Sequence, residues 1–142
     1  MPSKKRRMWI NHERFLKSLP SLIQAAEEGD LNAQHDLAAF YATDDLSGLK
    51  NVAEAIKWYT IAAEHGHVES QYDLGFMLIL GEGTERNVPT GLRWMEQSAV
   101  NGYIYATSVL SDTYSKGLYG IAPDAEKAAY WNEQINSLKN SS

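Results

Sequence analysis

The fold is decided by the stretch Ala55-Ile-Lys-Trp58-Tyr-Thr-Ile-Ala62-Ala63-Glu-His-Gly66, because its spacing recurs. The tryptophan returns 36 residues later as Trp94, again followed by a small pair and a closing glycine, and after another 37 residues as Trp131. A fixed period of about 20–50 residues is typical of a solenoid, in which each repeat is one supersecondary unit stacked on the next. We therefore predict an all-α solenoid.

Each repeat is predicted to contain two helices. The first helix carries a recurring leucine, Leu37, Leu74 or Leu110, followed by a small residue that lets a neighbouring helix approach. The second helix begins seven residues before each tryptophan at a polar residue that is favoured as an N-cap, namely Asn51, Asn87 and Asp124. Glycines after each helix, such as Gly66 and Gly102, suit its C-terminal end.

The tryptophans of the second helices are predicted to be core residues. Each lies three residues after a small residue (Ala55, Gly91 and Ala128). A large indole beside a small residue buries roughly 150–250 Å² of ring surface. Trp131 is expected to fit least well, because its helix lacks the small pair and the closing glycine.

The amino-acid composition limits the kinds of site and partner that the chain can have. The chain has no cysteine, which excludes disulfides, thiolate metal sites and a cysteine nucleophile. Its net charge is −5, but residues 1–17 carry +5, which leaves −10 on the remainder. An acidic body disfavours nucleic-acid binding and favours a basic partner. No apolar run is long enough to span a membrane, and no secretory signal follows the basic N-terminal segment, so we expect a cytoplasmic protein.

The predicted organisation follows the period. Residues 1–12 are expected to form a flexible basic tail, 13–30 a capping helix, and 31–66, 67–102 and 103–138 the three repeats. Residues 139–142 are expected to fray. The cluster Lys4-Lys5-Arg6-Arg7 could alternatively be a nuclear-localisation or nucleic-acid patch.

Together these positions resemble the Sel1-like repeat family, a relative of the tetratricopeptide repeats. The second repeat carries the resemblance most fully, through Leu74-Gly75, Gly81-x-Gly83, Trp94 and Gly102. The first repeat departs from it, with Asp44-Asp45 where the glycine turn belongs. The resemblance implies a right-handed superhelix and a role as an adaptor that presents a curved surface to other proteins, including toxin-neutralising roles in bacteria.

In related arrays the first helix of each pair lines the concave side, and we transfer that geometry. The candidate partner-binding residues are Asn32, His35, Ala39, Glu69, Tyr72, Phe76, Tyr105, Ser108 and Asp112, together with the acidic Asp44 and Asp45. Tyr72, Phe76 and Tyr105 form a candidate aromatic patch, since exposed aromatic residues are typical interface anchors. The alternative is that these rings fill the space between helices.

Two further features have competing interpretations. His65-Gly-His67 suggests a metal ligand pair, but histidine at a helix C-terminus more often complements the exposed carbonyl groups. The acidic residues near the first repeat, including Glu27 and Asp30, are either a solvated face or a contact for a basic partner.

We predict a non-catalytic protein-binding module, with no cofactor and no metal. Its most concrete form is a bacterial immunity protein that neutralises a cognate toxin, such as a basic nuclease. The alternatives are a general adaptor or chaperone-like scaffold in a signalling, secretion or degradation assembly, and an enzyme, which would need convergent polar groups in a pocket. The oligomeric state is left open.

Overall fold

The computed structural model describes residues 4–141, with side chains from residue 11 onward. Within that range the chain forms seven α-helices and no strands, which confirms the all-α solenoid. The helices are α1 (Lys4–Glu27), α2 (Leu31–Thr43), α3 (Val52–Glu64), α4 (Val68–Leu80), α5 (Val88–Val100), α6 (Ile104–Lys116) and α7 (Ala125–Asn140). None of them combines the length and the apolar character that crossing a bilayer requires.

Helices α2 to α7 form three consecutive pairs, and the predicted caps explain where the second helices begin. The side chains of Asn51, Asn87 and Asp124 each accept a hydrogen bond from the amide three residues later, which satisfies a donor of the first turn. At the ends of α4 and α6, Gly81 and Gly117 adopt the left-handed conformation that glycine favours. These capping predictions are confirmed.

The helical region extends further at both ends than the sequence suggested. Helix α1 begins at Lys4 and so includes residues 4–12 of the predicted tail, while residues 1–3 lie outside the described part of the chain. Helix α7 continues to Asn140 and so includes residues 139 and 140 of the segment predicted to fray; residue 142 lies outside the described part of the chain. Periodicity missed the start of α1, because the basic cluster contributes no apolar stripe to detect.

The second pair is the most closely packed, because both helices have glycine at the crossing. A Cβ atom built on Gly91 would lie 2.7 Å from the carbonyl oxygen of Gly75 and 2.7 Å from the side chain of Ile79. The corresponding positions are Ala38 and Ala55 in the first pair. The small residue after the leucine thus permits a close helix approach, as predicted.

The prediction that the tryptophans are buried is only partly right. Trp131 is buried, at 8% exposure, whereas Trp58 and Trp94 are half-buried. In α3 and α5 the inward position is taken by the next residue, Tyr59 or Met95, and the indole covers the edge of the core. The tryptophan expected to fit least well is therefore the most buried of the three.

Helix α7 ends the stack with a polar surface. Asn132 and Asn136 are exposed at the positions where α3 buries Tyr59 and Ala63. Buried glutamines reinforce the contacts between units, since Gln34 donates to the carbonyl of Ala26 at 3.0 Å and Gln71 does the same at an equivalent position one repeat later. The repeats are thus joined by hydrogen bonds as well as by apolar packing.

Candidate functional site

The first helices of successive repeats, α2, α4 and α6, contact one another through side chains on one shared face, which we call the first-helix face. Between α2 and α4, His35 Nε2 lies 2.9 Å from Asp73 Oδ2. Asn32 Oδ1 lies 3.0 Å from Nε2 of His67, the residue before α4. The predicted residues His35 and Asn32 are therefore part of a network that crosses the junction between the first two repeats.

Four aromatic rings line the next junction, and we call Tyr72, Phe76, Tyr103 and Tyr105 the aromatic ladder. The ring centroids of Tyr72 and Phe76 are 5.0 Å apart in an edge-to-face arrangement. Tyr103 stands between the two helices, 5.3 Å from Tyr72 and 5.4 Å from Tyr105. Edge-to-face pairs of this kind are stabilising, by about 0.5–1.5 kcal/mol each beyond the area they bury.

The ladder is part core and part surface. Tyr72, Phe76 and Tyr103 pack against the buried cluster around Leu110 and keep one edge accessible, whereas Tyr105 is 63% exposed. Both interpretations of these rings thus hold in part, because the same side chains close the space between helices and present an aromatic surface.

His35 is surrounded by three carboxylates. Besides Asp73, Asp36 lies 3.6 Å from its Nδ1 atom and Glu69 4.0 Å from its Nε2 atom. The hydrogen bond to Asp73 raises the pKa of His35 above 6.5, against the opposing effect of burial. The ring of His67 lies 5.0 Å from that of His35, and burial, together with the charge of His35, lowers the pKa of His67 below 6.5. The two neighbouring imidazoles therefore titrate in opposite directions from their ordinary value.

This arrangement predicts a specific result in an NMR titration of the histidine rings. His35 should titrate above pH 6.5 and His67 below it. Asp73→Asn should lower the pKa of His35, because it removes the negative charge that favours the imidazolium. The matched control Asp112→Asn, on the exposed surface of α6, should leave both values unchanged. An unchanged His35 pKa in Asp73→Asn would contradict the geometry.

Two cavities open along the first-helix face. One, of about 610 Å³, lies between α1 and α2 and is lined by apolar groups, including Phe15, Leu22, Ala39 and Phe40. The other, of about 580 Å³, lies between α2 and α4, and we call it the α2/α4 cavity. Thr43 lines both cavities, which places them next to each other on α2.

Asp44, predicted to bind a partner, is buried. Its carboxylate accepts hydrogen bonds from the Ser47 hydroxyl and from the amides of residues 46, 47 and 49, and His12 of α1 lies 3.4 Å away. Burial alone would raise the pKa of Asp44, but these hydrogen bonds outweigh it and hold the pKa below 3.8. Asp44 therefore organises the loop that replaces the glycine turn, and the prediction that it faces a partner is wrong.

The remaining candidates are more dispersed. Asp45 is exposed and lies 3.7 Å from the ammonium group of Lys50. Asp112 pairs with Lys116 on the same helix at 3.8 Å, and Ser108 is half-buried on α6. The structure gathers the predicted residues of α2 and α4, whereas Asp112 pairs within α6 and Asp44 is buried in the first loop. Asp45 reaches the α2/α4 cavity only through its contact with Lys50.

His65 and His67 have separate structural roles. Nδ1 of His65 lies 2.8 Å from the carbonyl oxygen of Ile61 in the last turn of α3, as expected for a histidine at a C-terminus. His67, by contrast, accepts from the amide of Ser70 and caps the N-terminus of α4, which corrects its predicted place. In the part of the chain from residue 11 to 141, no three histidine or carboxylate side chains are grouped to hold a metal ion.

Sequence reasoning missed Tyr103, Asp73 and Tyr59. Tyr103 occupies the position of Asp30 and His67, the N-caps of α2 and α4, but makes no capping hydrogen bond with its side chain. An aromatic residue at a position that is otherwise polar indicated that its side chain makes a contact other than a cap, here with Tyr72. Asp73 and Tyr59 gave no such signal, because only the approach of α2, α3 and α4 brings them to His35.

Comparison with known proteins identifies relatives that share this architecture. The Sel1 repeat model matches residues 31–67, 68–103 and 104–134. A Sel1 repeat protein from Oxalobacter formigenes is 32% identical in sequence, covering 88% of this chain and 96% of its own, with a TM-score of 0.72. An immunity protein from Pseudomonas aeruginosa has a TM-score of 0.70 over 84% of this chain and 45% of its own, and its 21% identity shows a shared fold alone.

Among curated relatives, a chitin synthase regulator of Saccharomyces cerevisiae is 34% identical over 81% of this chain, but over only 16% of its own length. The chain spans about a fifth of the length of the curated relatives it matches.

Proposed function

The chain belongs to the Sel1 repeat family, a non-catalytic protein-interaction fold, and we propose that it binds a protein partner through the first-helix face. The observation that carries this proposal is the aromatic ladder, which joins α4 to α6 while Tyr105 stays 63% exposed. Tyrosines with an apolar body and an accessible hydroxyl are enriched among the residues that dominate binding energy.

The chemistry of the face favours a basic partner. Glu69 and Asp73 lie near the ladder, where burial and their charges raise the pKa of Tyr103, and Asp36 joins them around His35. The protein outside residues 1–17 carries a charge of −10. Carboxylates at the rim of an aromatic patch raise the rate of association with a cationic partner and exclude acidic competitors. The same surface is unsuited to nucleic acid, since phosphate groups would be repelled.

In its most concrete form, the proposal is a cytoplasmic immunity protein that masks a basic toxin without catalysis. The acidic first-helix face supports this role by its charge. The immunity proteins of Pseudomonas aeruginosa show that this fold serves such proteins, at 20–21% identity. A bound immunity protein needs only to cover the active surface of its toxin, which a rigid array can do without moving.

The test is co-purification of the chain with the product of a neighbouring toxin gene, followed by affinity measurement. Tyr72→Ala combined with Tyr105→Ala should weaken the complex about a hundredfold, which corresponds to about 2.7 kcal/mol for two interface anchors. Tyr130→Ala is the matched control, because Tyr130 is 52% exposed but lies on α7. Equal losses in both variants, or none in the double variant, would reject the first-helix face.

The relatives named as chitin synthase regulators support a second candidate, an adaptor within a multiprotein assembly. The two candidates differ in one cellular measurement. An immunity protein restores growth to cells that express the toxin and loses that ability in the Tyr72→Ala, Tyr105→Ala variant. An adaptor binds its partner through the same tyrosines, but its partner is not toxic when expressed alone.

A further inference from the structure

The α2/α4 cavity combines an apolar floor with charged walls. Its volume is about 580 Å³, within the roughly 300–1,000 Å³ typical of ligand pockets. Met77 and the buried Tyr59 line it from below, whereas Asp73 and Phe76 of α4 line one side. The floor therefore suits an aliphatic chain, and the side suits a group that interacts with both a carboxylate and an aromatic ring.

The charge within the cavity is negative. Asp73 and Glu82 both line it, with 36% of the Asp73 side chain exposed and Glu82 open to solvent at the mouth. The one cation among the described lining residues, Lys50, lies 3.7 Å from Asp45, a residue outside that lining. Burial and the charge of Asp73 raise the pKa of Tyr59, so its phenol stays protonated beside the carboxylate. His35, which is hydrogen-bonded to Asp73 at 2.9 Å, is a second local cation when it is protonated. The carboxylates of Asp45, Asp73 and Glu82 then still outnumber the cations Lys50 and His35 by one.

An arginine side chain matches this combination of groups. Its guanidinium group is planar, donates in a fork that fits a carboxylate, and stacks on an aromatic face. Its three methylene groups pack along apolar surface while the charged end stays paired. Lysine offers only a compact ammonium group. It stacks less well on Phe76 and lacks the forked pair of donors that an arginine presents to the Asp73 carboxylate.

We infer that the α2/α4 cavity is a specificity pocket that receives an arginine side chain of the protein partner. The inference rests on the proposed function and adds to it the chemistry of one contact. Phe76 connects the pocket to the aromatic ladder, because it lines the cavity and contacts Tyr72 at 5.0 Å between ring centroids. A partner segment lying across the ladder is thereby positioned to place one arginine between α2 and α4.

The experiment measures binding of a nona-arginine peptide to the full chain at 150 mM salt, with nona-lysine as the comparison. Nona-arginine should bind at least about fivefold more tightly. Asp73→Asn combined with Glu82→Gln should weaken it about tenfold or more, as loss of a paired charge does. Glu133→Gln combined with Glu126→Gln, which removes two exposed carboxylates on α7, is the control for net charge and should change the affinity less than twofold.

A site-specific readout accompanies the affinities. The ring signals of His35 should shift on addition of nona-arginine, because its hydrogen-bond partner Asp73 is the group that pairs with the guanidinium. Glu82→Gln alone serves as a second variant, since Glu82 lies on an exposed turn and its side chain supports no helix. It should weaken binding about threefold without changing the melting temperature.

Equal affinity for the two peptides, or equal effects of the cavity and α7 double variants, would overturn the pocket and leave only general attraction to an acidic protein. Such a result is distinct from failure of the proposed function. If the partner complex still depends on Tyr72 and Tyr105 but not on Asp73 and Glu82, the first-helix face binds and the arginine pocket is wrong. If the partner complex is insensitive to the tyrosines, the proposed function fails by itself.

Discussion

Gly91→Val should lower the free energy of unfolding by about 3 kcal/mol, the upper part of the range for overpacking a closely fitted interior. A Cβ atom at this position would lie 2.7 Å from the backbone oxygen of Gly75 and 3.0 Å from the backbone nitrogen of Ile79. Backbone atoms cannot move aside as a side chain can, so α4 and α5 must separate. The helix-forming advantage of valine over glycine, a few tenths of a kcal/mol, offsets little of this cost.

The measurement is urea unfolding followed by circular dichroism, together with the melting temperature, which should fall by roughly 10 °C. Ala129→Val is the matched control, because Ala129 is exposed on α7 and its replacement changes only helix propensity, by about 0.5 kcal/mol. Gly91→Ala should lie between the two. If Gly91→Val were no more destabilising than the control, the close crossing of α4 and α5 would be incorrect.

Asp44→Ala is expected to lower the free energy of unfolding by about 2 kcal/mol, because hydrogen bonds to a charged acceptor contribute about 1.5–3 kcal/mol each and water restores part of the loss. The Asp44 carboxylate is the acceptor shared by the Ser47 hydroxyl and the amides of residues 46, 47 and 49. Without it, the loop between α2 and α3 has no common acceptor. Unfolding by urea measures the loss, and hydrogen exchange should show faster exchange at those amides.

The adjacent carboxylate supplies the control. Asp45→Ala removes an exposed group whose pairing with Lys50, at 3.7 Å, is worth less than about 1 kcal/mol. The pH dependence follows from the lowered pKa of Asp44: its contribution is present above pH 3.8 and is lost as the pH falls through the lower, folded-state value. Equal stability of the two variants at neutral pH would show that Asp44 does not organise the loop.

Much of the fold could be predicted from the sequence because local rules agree with the period. The caps Asn51, Asn87 and Asp124 and the close-packed Gly75 follow from backbone chemistry that acts within a few residues. The degree of burial of Trp58 could not be predicted in the same way. Whether Trp58 or its neighbour Tyr59 points inward depends on how α3 is rotated about its axis against α2 and α4. Adjacent residues of a helix point in directions about 100° apart, so a small rotation exchanges which of the two is buried.

The candidate site was less predictable, for a physical reason. Tyr72, Phe76 and Tyr105 were found because one face of a helix recurs with the period. Asp73 and Tyr103 lie outside that pattern, and contacts with the neighbouring unit give them their place. Asp44 was assigned to the surface because acidic runs are usually solvated, whereas here four backbone and side-chain donors compensate its burial.

The contacts that cross from one repeat to the next determine what can be transferred between proteins of this kind. His35 and Asp73 belong to different repeats, and Tyr103, at the end of the second repeat, joins Tyr72 to Tyr105 of the third. No single repeat therefore contains all the groups of the proposed binding surface. If a single helical pair were moved into another array, it would bring only one partner of each contact that crosses between repeats, although the helical packing would be preserved. The surface residues proposed to bind a partner are thus shared between adjacent repeats. Transferring such a binding surface to another array therefore requires moving at least two adjacent repeats together.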